Sequence, residues 1–178
     1  DLKNDVVYAP SATTVSLDKG WTVAFPSLNK EFKIDTPSSW TTLGDAQVDS
    51  LAGSGVYTTE FEVADATGEW QLDLGDVRES ARVKINGEYV GTLWAVPYKI
   101  NVGKYLKEGK NTIELEVTNL LANRIAALDR KGVQWRKFKE INLVDLNYKK
   151  TGYAHWQLME SGLNGAPRLT KLNTVNPK

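Results

Sequence analysis

Apolar and polar residues alternate with a period of two along much of the chain. Tyr57, Thr59, Phe61 and Val63 alternate with Thr58, Glu60 and Glu62. Trp70, Leu72 and Leu74 alternate with Gln71 and Asp73, and Ala81, Val83 and Ile85 with Arg82 and Lys84. Ile113, Leu115 and Val117 alternate with Glu114, Glu116 and Thr118. Successive side chains of a strand point to opposite faces, so each run predicts a half-buried strand with its apolar side inward. Such strands suit an antiparallel sheet with one wet face. Asn86-Gly87 falls between two runs, and both residues tolerate the positive φ of a type I′ hairpin turn. Glu108-Gly109-Lys110-Asn111 predicts a second turn, and Gly68 and Gly75-Asp76 punctuate two more. The pattern predicts an all-β fold, a β-sandwich jelly roll with long loops and at most one or two short helices.

The flanks are less regular. Residues 1–19 are polar and read as an N-terminal arm or linker, leaving 20–178 as a single domain. Trp21–Phe25 predicts a strand ended by Pro26, and Thr36–Gly55 a long loop around Trp40. Leu120–Arg130 predicts a short helix with Leu121, Ile125 and Leu128 on one face and Gly132 as its stop. Ile141–Tyr148 favours a strand. Ser161-Gly162 and Asn164-Gly165 predict turns before a last strand, Arg168–Leu172, with a frayed tail from Asn173.

Composition narrows the chemistry. The 178 residues carry 22 Lys+Arg against 22 Asp+Glu, a balance that argues against nucleic acid as a partner. The 41% hydrophobic and 25% charged content is that of a globular domain. No apolar run reaches the ~20 residues of a membrane span. Asp1 opens into a polar segment without a signal-peptide pattern, as in a mature chain or a piece of a longer one. The absence of cysteine removes disulfides, thiolate catalysis and cysteine-based zinc sites. The single histidine, His155, has no His-x-x-x-His partner and no Gly-x-Ser-x-Gly serine to activate, so it reads as a polar loop residue. No phosphate-cradling glycine loop is present. Glu60 with Glu62 and Glu114 with Glu116 share strand faces roughly 6–7 Å apart, a separation glycosidases use. They point outward from regular strands, however, and read as a solvated face. Arg130, Lys131, Arg136, Lys137 and Lys139 form a basic cluster that reads as a solvated loop balanced by Asp129 and Glu140. No cofactor is indicated. A structural calcium ion stays open, because loops here hold Asp and Asn, although the regular Asp-x-Asp-x-Asp-Gly loop is absent.

One stretch carries more than alternation. It runs Leu74-Gly75-Asp76-Val77-Arg78-Glu79-Ser80-Ala81-Arg82-Val83-Lys84-Ile85-Asn86-Gly87, then Val90-Gly91-Thr92-Leu93-Trp94-Ala95-Val96-Pro97-Tyr98, and closes with Leu115-Glu116-Val117-Thr118-Asn119. With Asn119–Arg124, Trp156–Met159 and Ser161-Gly162-Leu163-Asn164-Gly165-Ala166-Pro167, it resembles the sugar-binding, galactose-binding-like jelly-roll domain of family 2 glycoside hydrolases. It resembles still more the C-terminal jelly roll of bacterial enzymes related to family 106 α-L-rhamnosidases. There the last segment usually reads Ser-Gly-Leu-Leu-Gly-Pro; here Asn164 replaces the second Leu and Ala166 intervenes, so the final turn differs.

The resemblance implies a non-catalytic carbohydrate-binding or ancillary module of a secreted bacterial glycoside hydrolase, with carbohydrate and the parent's other domains as partners. It also implies export to the periplasm, cell surface or medium. The alternative is a purely structural inter-domain module. Glycines 75 and 91 and the Asn86-Gly87 and Asn111 turns are scaffold positions, so recognition falls to loops. Trp94 and Tyr98 lie between two strands, where a ring stacks on a sugar, plugs the sandwich or docks on a neighbouring domain. Arg78 and Glu79 bond hydroxyls or form a local ion pair. Asn119, Asn123 and Arg124 recognise hydroxyls or serve turn and cap chemistry. Trp135, like Trp40, is a loop aromatic or a lid over the core. Trp21, Trp70 and Trp156 are assigned to the core or its margin.

Overall fold

The computed structural model describes residues 7–136 and 152–175. Two antiparallel sheets face each other. The larger has six strands in the order β3 (Lys30–Ile34), β2 (Trp21–Phe25), β4 (Ser54–Val63), β10 (Gly109–Thr118), β7 (Ser80–Ile85) and β8 (Glu88–Leu93). The smaller has four, in the order β1 (Val7–Ser16), β12 (Arg168–Val175), β5 (Glu69–Asp73) and β9 (Lys99–Asn101). A two-stranded ladder, β6 (Asp76–Arg78) with β11 (Gly162–Asn164), lies apart from both.

The predicted alternation is the observed one. On β4, Tyr57, Thr59, Phe61 and Val63 are buried, and on β10 Asn111, Ile113, Leu115 and Val117 are. Register places Leu115 between Tyr57 and Val83, and Ile113 between Thr59 and Ile85. From the other sheet, Trp70, Leu72 and Leu169 join the same buried cluster. Trp21, Trp40, Trp70, Tyr57 and Phe25 are its largest members. At ~25 cal/mol per Å2, each buried aromatic ring contributes on the order of 4–6 kcal/mol gross. Phe25 and Trp40 meet edge to face with centroids 5.4 Å apart, so the loop around Trp40 closes one end of the core.

The turns behave as their residues require. Asn86 and Gly87 both take positive φ, 52° and 83°, and join β7 to β8. Asn111, 1% exposed, holds the preceding turn by donating to the carbonyls of Lys107 and Gly109 at 2.7 and 2.9 Å while accepting from the Lys107 amide. It also accepts from the side chain of Asn86 at 2.8 Å, which ties the two turns together. Outward carboxylates pair across strands, Glu60 with Lys110, Glu114 with Lys84 and Glu116 with Arg82. These acids therefore form the solvated face expected of them.

Several expectations differ from the observed structure, among them the turn expected at Ser161-Gly162, where β11 begins, and the long loop expected around Trp40, which holds a short helix, Ala46–Asp49. The polar stretch expected as an arm or linker holds β1, which is paired along β12 from Val7 opposite Val175 to Ser16 opposite Arg168. Two helices are described, α1 (Ala46–Asp49) and α2 (Ala122–Arg130). The buried face of α2 is Asn123, Ala126 and Ala127, not the Leu121 face, because small residues let the helix lie close while Leu121 stays 62% exposed. Gly132 does end α2: its amide donates to Asp129 and that of Val133 to Leu128, a Schellman closure. Trp156 is 39% exposed rather than in the core, since it packs on Tyr153 outside the sandwich. The last strand extends beyond Leu172 to Val175. The expected strand at Ile141–Tyr148, Lys137 and Lys139 of the basic cluster, and residues 176–178 of the tail lie outside the described residues. No helix among the described residues is long and apolar enough to cross a membrane.

Candidate functional site

Register brings most of the predicted site residues to one end of the sandwich. Ala81 pairs with both Leu93 and Val117, so Ser80, Trp94 and Thr118 follow at one level. The Glu79 amide donates to the Thr118 carbonyl at 2.8 Å, and the Tyr98 hydroxyl donates to the Glu79 carbonyl at 2.7 Å. The Arg78–Glu79 and Val96–Pro97 peptides in these two loops are cis. Arg78, Glu79, Asn119, Asn123, Leu120 and Met159 line a common hollow.

The polar groups of that hollow are already used within the protein. Arg78 donates from Nε and Nη2 to the two oxygens of Asp76, both at 2.7 Å, and its Nη2 lies 3.3 Å from Glu160. The hydrogen bond from Arg78 holds the Asp76 carboxyl below the usual carboxylate range. The expected ion pair of Arg78 is thus with Asp76 and Glu160 rather than with Glu79, which is exposed.

Asn119 donates to the Leu51 carbonyl and the Ser161 hydroxyl at 2.9 and 3.2 Å and accepts from the Gly53 amide at 3.1 Å. Asn123 is 3% exposed; it donates to the Met159 carbonyl at 2.8 Å and accepts from the Met159 amide at 2.9 Å. These two asparagines, expected among ligand-binding residues with turn and cap chemistry as the alternative, spend their side-chain amides on backbone groups and on the Ser161 hydroxyl. Tyr98, which the loop position offered for stacking or for plugging the sandwich, is 7% exposed, and burial raises its hydroxyl above the ordinary tyrosine range.

Ser161, which the sequence offers only as part of a turn, is the hub. It is 3% exposed, accepts from the amides of Asn119 and Asn123, and exchanges bonds of 2.9 and 3.1 Å with the Ser39 hydroxyl. Nothing local in Ser161-Gly162 marks it; its partners lie up to 122 positions away. The free space left in the hollow is about 10 Å3, near the room one water needs and far below the roughly 300 Å3 of a small-ligand site.

The remaining candidates stand outside that network. Trp94 is 77% exposed and Val96 83%. Arg124 is exposed on α2. Trp135 belongs to a separate aromatic stack: its ring lies 6.0 Å from Tyr153, which lies 4.6 Å from Trp156, and Arg136 sits over both Trp135 and Tyr153. Asp129 organises this stack by accepting from the Trp135 indole and from the Tyr153 amide. Trp94, Tyr98 and Trp135 therefore do not share one hollow with free rings, since the Tyr98 ring is buried. His155 is exposed in the turn beside the stack. Among the described residues no group of three or more His, Cys, Asp or Glu is placed to hold a metal ion.

Known proteins share this architecture. The structure of a rhamnosidase from Novosphingobium sp. PP1Y superposes over 96% of the chain with a TM-score of 0.73 and 28% identity, using 16% of that protein. A β-D-glucuronidase from Dictyoglomus thermophilum superposes over 92% with a TM-score of 0.60 at 18% identity, a likeness of fold alone. A Formosa agariphila protein named "Putative beta-glucuronidase" is 30% identical over 176 residues, covering 85% of the chain and 15% of its own length. The chain thus spans a small fraction of each relative. Residues 27–165 match the family model described as glycosyl hydrolase 2 galactose-binding domain-like, which is more than half the chain. On that match the chain belongs to the glycosyl hydrolase 2 galactose-binding domain-like family.

Proposed function

We propose that the chain is a non-catalytic module of a larger glycoside hydrolase and that its task is to brace a neighbouring domain of the same polypeptide. One observation carries this reading. The end of the sandwich where sugar recognition was expected is filled, yet it is ringed by exposed apolar side chains. Trp94, Val96, Leu120, Leu121 and Met159 are 46–83% exposed there. Leu120 and Met159 flank the filled hollow itself. Exposed apolar side chains suit contact with protein, whereas sugar recognition needs polar groups still seeking partners. The family membership and the small share of each relative that the chain spans support the same reading.

The test is made in the longer polypeptide, with Leu121→Asp and Met159→Asp together. The expected result is faster proteolytic cutting at the module boundary and a shorter thermal half-life of glycosidase activity. The unfolding midpoint of the module on its own stays unchanged, since both side chains are about half exposed or more. Unaltered cutting and an unaltered half-life would overturn the bracing role.

A further inference from the structure

A second cleft, of about 420 Å3, lies between α1 and α2 and is walled by residues 156–158. Its volume is within the range of small-ligand pockets. Its chemistry differs from that of the filled hollow, because here two cations stand without ion pairs among the described residues beside a partly exposed indole.

The indole of Trp156 packs on Tyr153 and remains 39% exposed, and Trp156 lines the cleft. Arg130 and Lys131 bring two cations from the C-terminal end of α2. One guanidinium nitrogen of Arg130 donates to the carbonyls of Ala154 and Trp156, each at 3.3 Å, which seats the Trp156 turn against the helix. Neither Arg130 nor Lys131 forms an ion pair among the described residues. Across the cleft, Oδ1 of Asp49 is buried with no hydrogen-bond donor. Burial, and then the nearby charge of Asp45, raise the Asp49 carboxyl above its ordinary value. Ser50 donates back into α1, to the Ala46 carbonyl at 2.9 Å, and so keeps its own lone pairs for an incoming hydroxyl. Gln157 adds an amide.

A partly free aromatic surface, a serine oxygen with lone pairs to spare and two cations without ion pairs are the complement of one kind of ligand. A pyranose offers an apolar C–H surface to stack and hydroxyls to donate. An ionised substituent on it answers the cations. We propose that this cleft binds a pyranose bearing an anionic group, with its ring on Trp156, a hydroxyl donating to Ser50 Oγ and its anion against Arg130 and Lys131. The site uses none of the residues of the bracing rim, so either proposal stands or falls without the other.

The test titrates the chain with D-glucuronate, D-galacturonate, a sulfated hexose and glucose, by calorimetry and tryptophan fluorescence, at low and high salt. Expected is millimolar binding of an anionic sugar, at least about fivefold tighter than glucose and weakened by salt. Trp156→Ala should lower that affinity about tenfold or more, in line with the loss of a stacking platform. Lys131 is exposed, so Lys131→Gln should leave the melting temperature unchanged while bringing the anionic sugar toward the glucose level. A preference for carboxylate or for sulfate ester assigns the source of the anion. Equal affinity for glucose and the anionic sugars, binding that survives both substitutions, or no response at about 50 mM would overturn the proposal.

Discussion

The backbone N–H of Leu163 donates to the Tyr57 hydroxyl across 3.2 Å, joining two positions 106 residues apart. Through this bond the short β11 is fastened to the centre of the six-stranded sheet. Both partners are fully buried, so neither has water as an alternative. The approach depends on Gly162, where a Cβ would lie 2.2 Å from that hydroxyl and 2.8 Å from Trp40 Cε3.

Gly162→Ala should therefore be among the most damaging small substitutions in the chain. The added methyl meets a buried ring and hydroxyl, and φ of 97° is strained for any residue with a Cβ. Overpacking and backbone strain together predict a loss of about 3 kcal/mol or more. Urea unfolding measures it; a loss below about 1 kcal/mol would mean that Trp40 and Tyr57 give way easily.

Burial pushes the Tyr57 hydroxyl up to about 12. Between the unfolded value near 10 and that folded value, the unfolded chain gives up the proton and the native chain keeps it. Stability is thus intact below about pH 10 and falls as pH rises toward 12, by at most about 1.4 kcal/mol per pH unit from this group. Tyr57→Phe should flatten that alkaline slope relative to wild type. At pH 7 it should cost about 1–3 kcal/mol, because the Leu163 amide loses its acceptor. Paired denaturation series at pH 7, 10 and 11 read both effects.

Trp94 and Tyr98 are four positions apart on one loop and should respond oppositely to truncation. Trp94→Ala removes a ring that is 77% exposed, so the stability of the chain should change by less than about 0.5 kcal/mol. Tyr98→Ala empties a buried site and abolishes the bond to the Glu79 carbonyl, at a cost of about 3 kcal/mol. Equal losses on thermal or urea unfolding would mean that Trp94 is packed in solution.

The strands were legible wherever burial follows local period. Tyr57 to Val63 and Ile113 to Val117 announce their inward faces, and Asn86-Gly87 announces its hairpin, because the cause of each lies within a few residues. β1 gives no such signal. Its side chains are mostly exposed, and it is a strand because β12, at the far end of the chain, supplies its ladder.

The site was less legible for a related reason. Asn119 and Asn123 carry the amides that would bind hydroxyls, and an amide looks the same in sequence whether its partner is a sugar or a backbone carbonyl. Ser161, about forty positions on, takes a bond from each, and no local pattern announces that. The α1–α2 cleft was missed because it joins Asp49, Arg130 and Trp156 from three separate segments, none of which carries a motif.

The pairing of Val7 with Val175 has a mechanical consequence. Tension applied across those two residues loads the β1–β12 ladder at its open end and peels it like a zipper, rung by rung, instead of shearing it along its length. The sandwich beneath keeps its hydrophobic contacts until β12 itself is drawn from β5, so a pull from the rest of a polypeptide is spent first on the outermost strand.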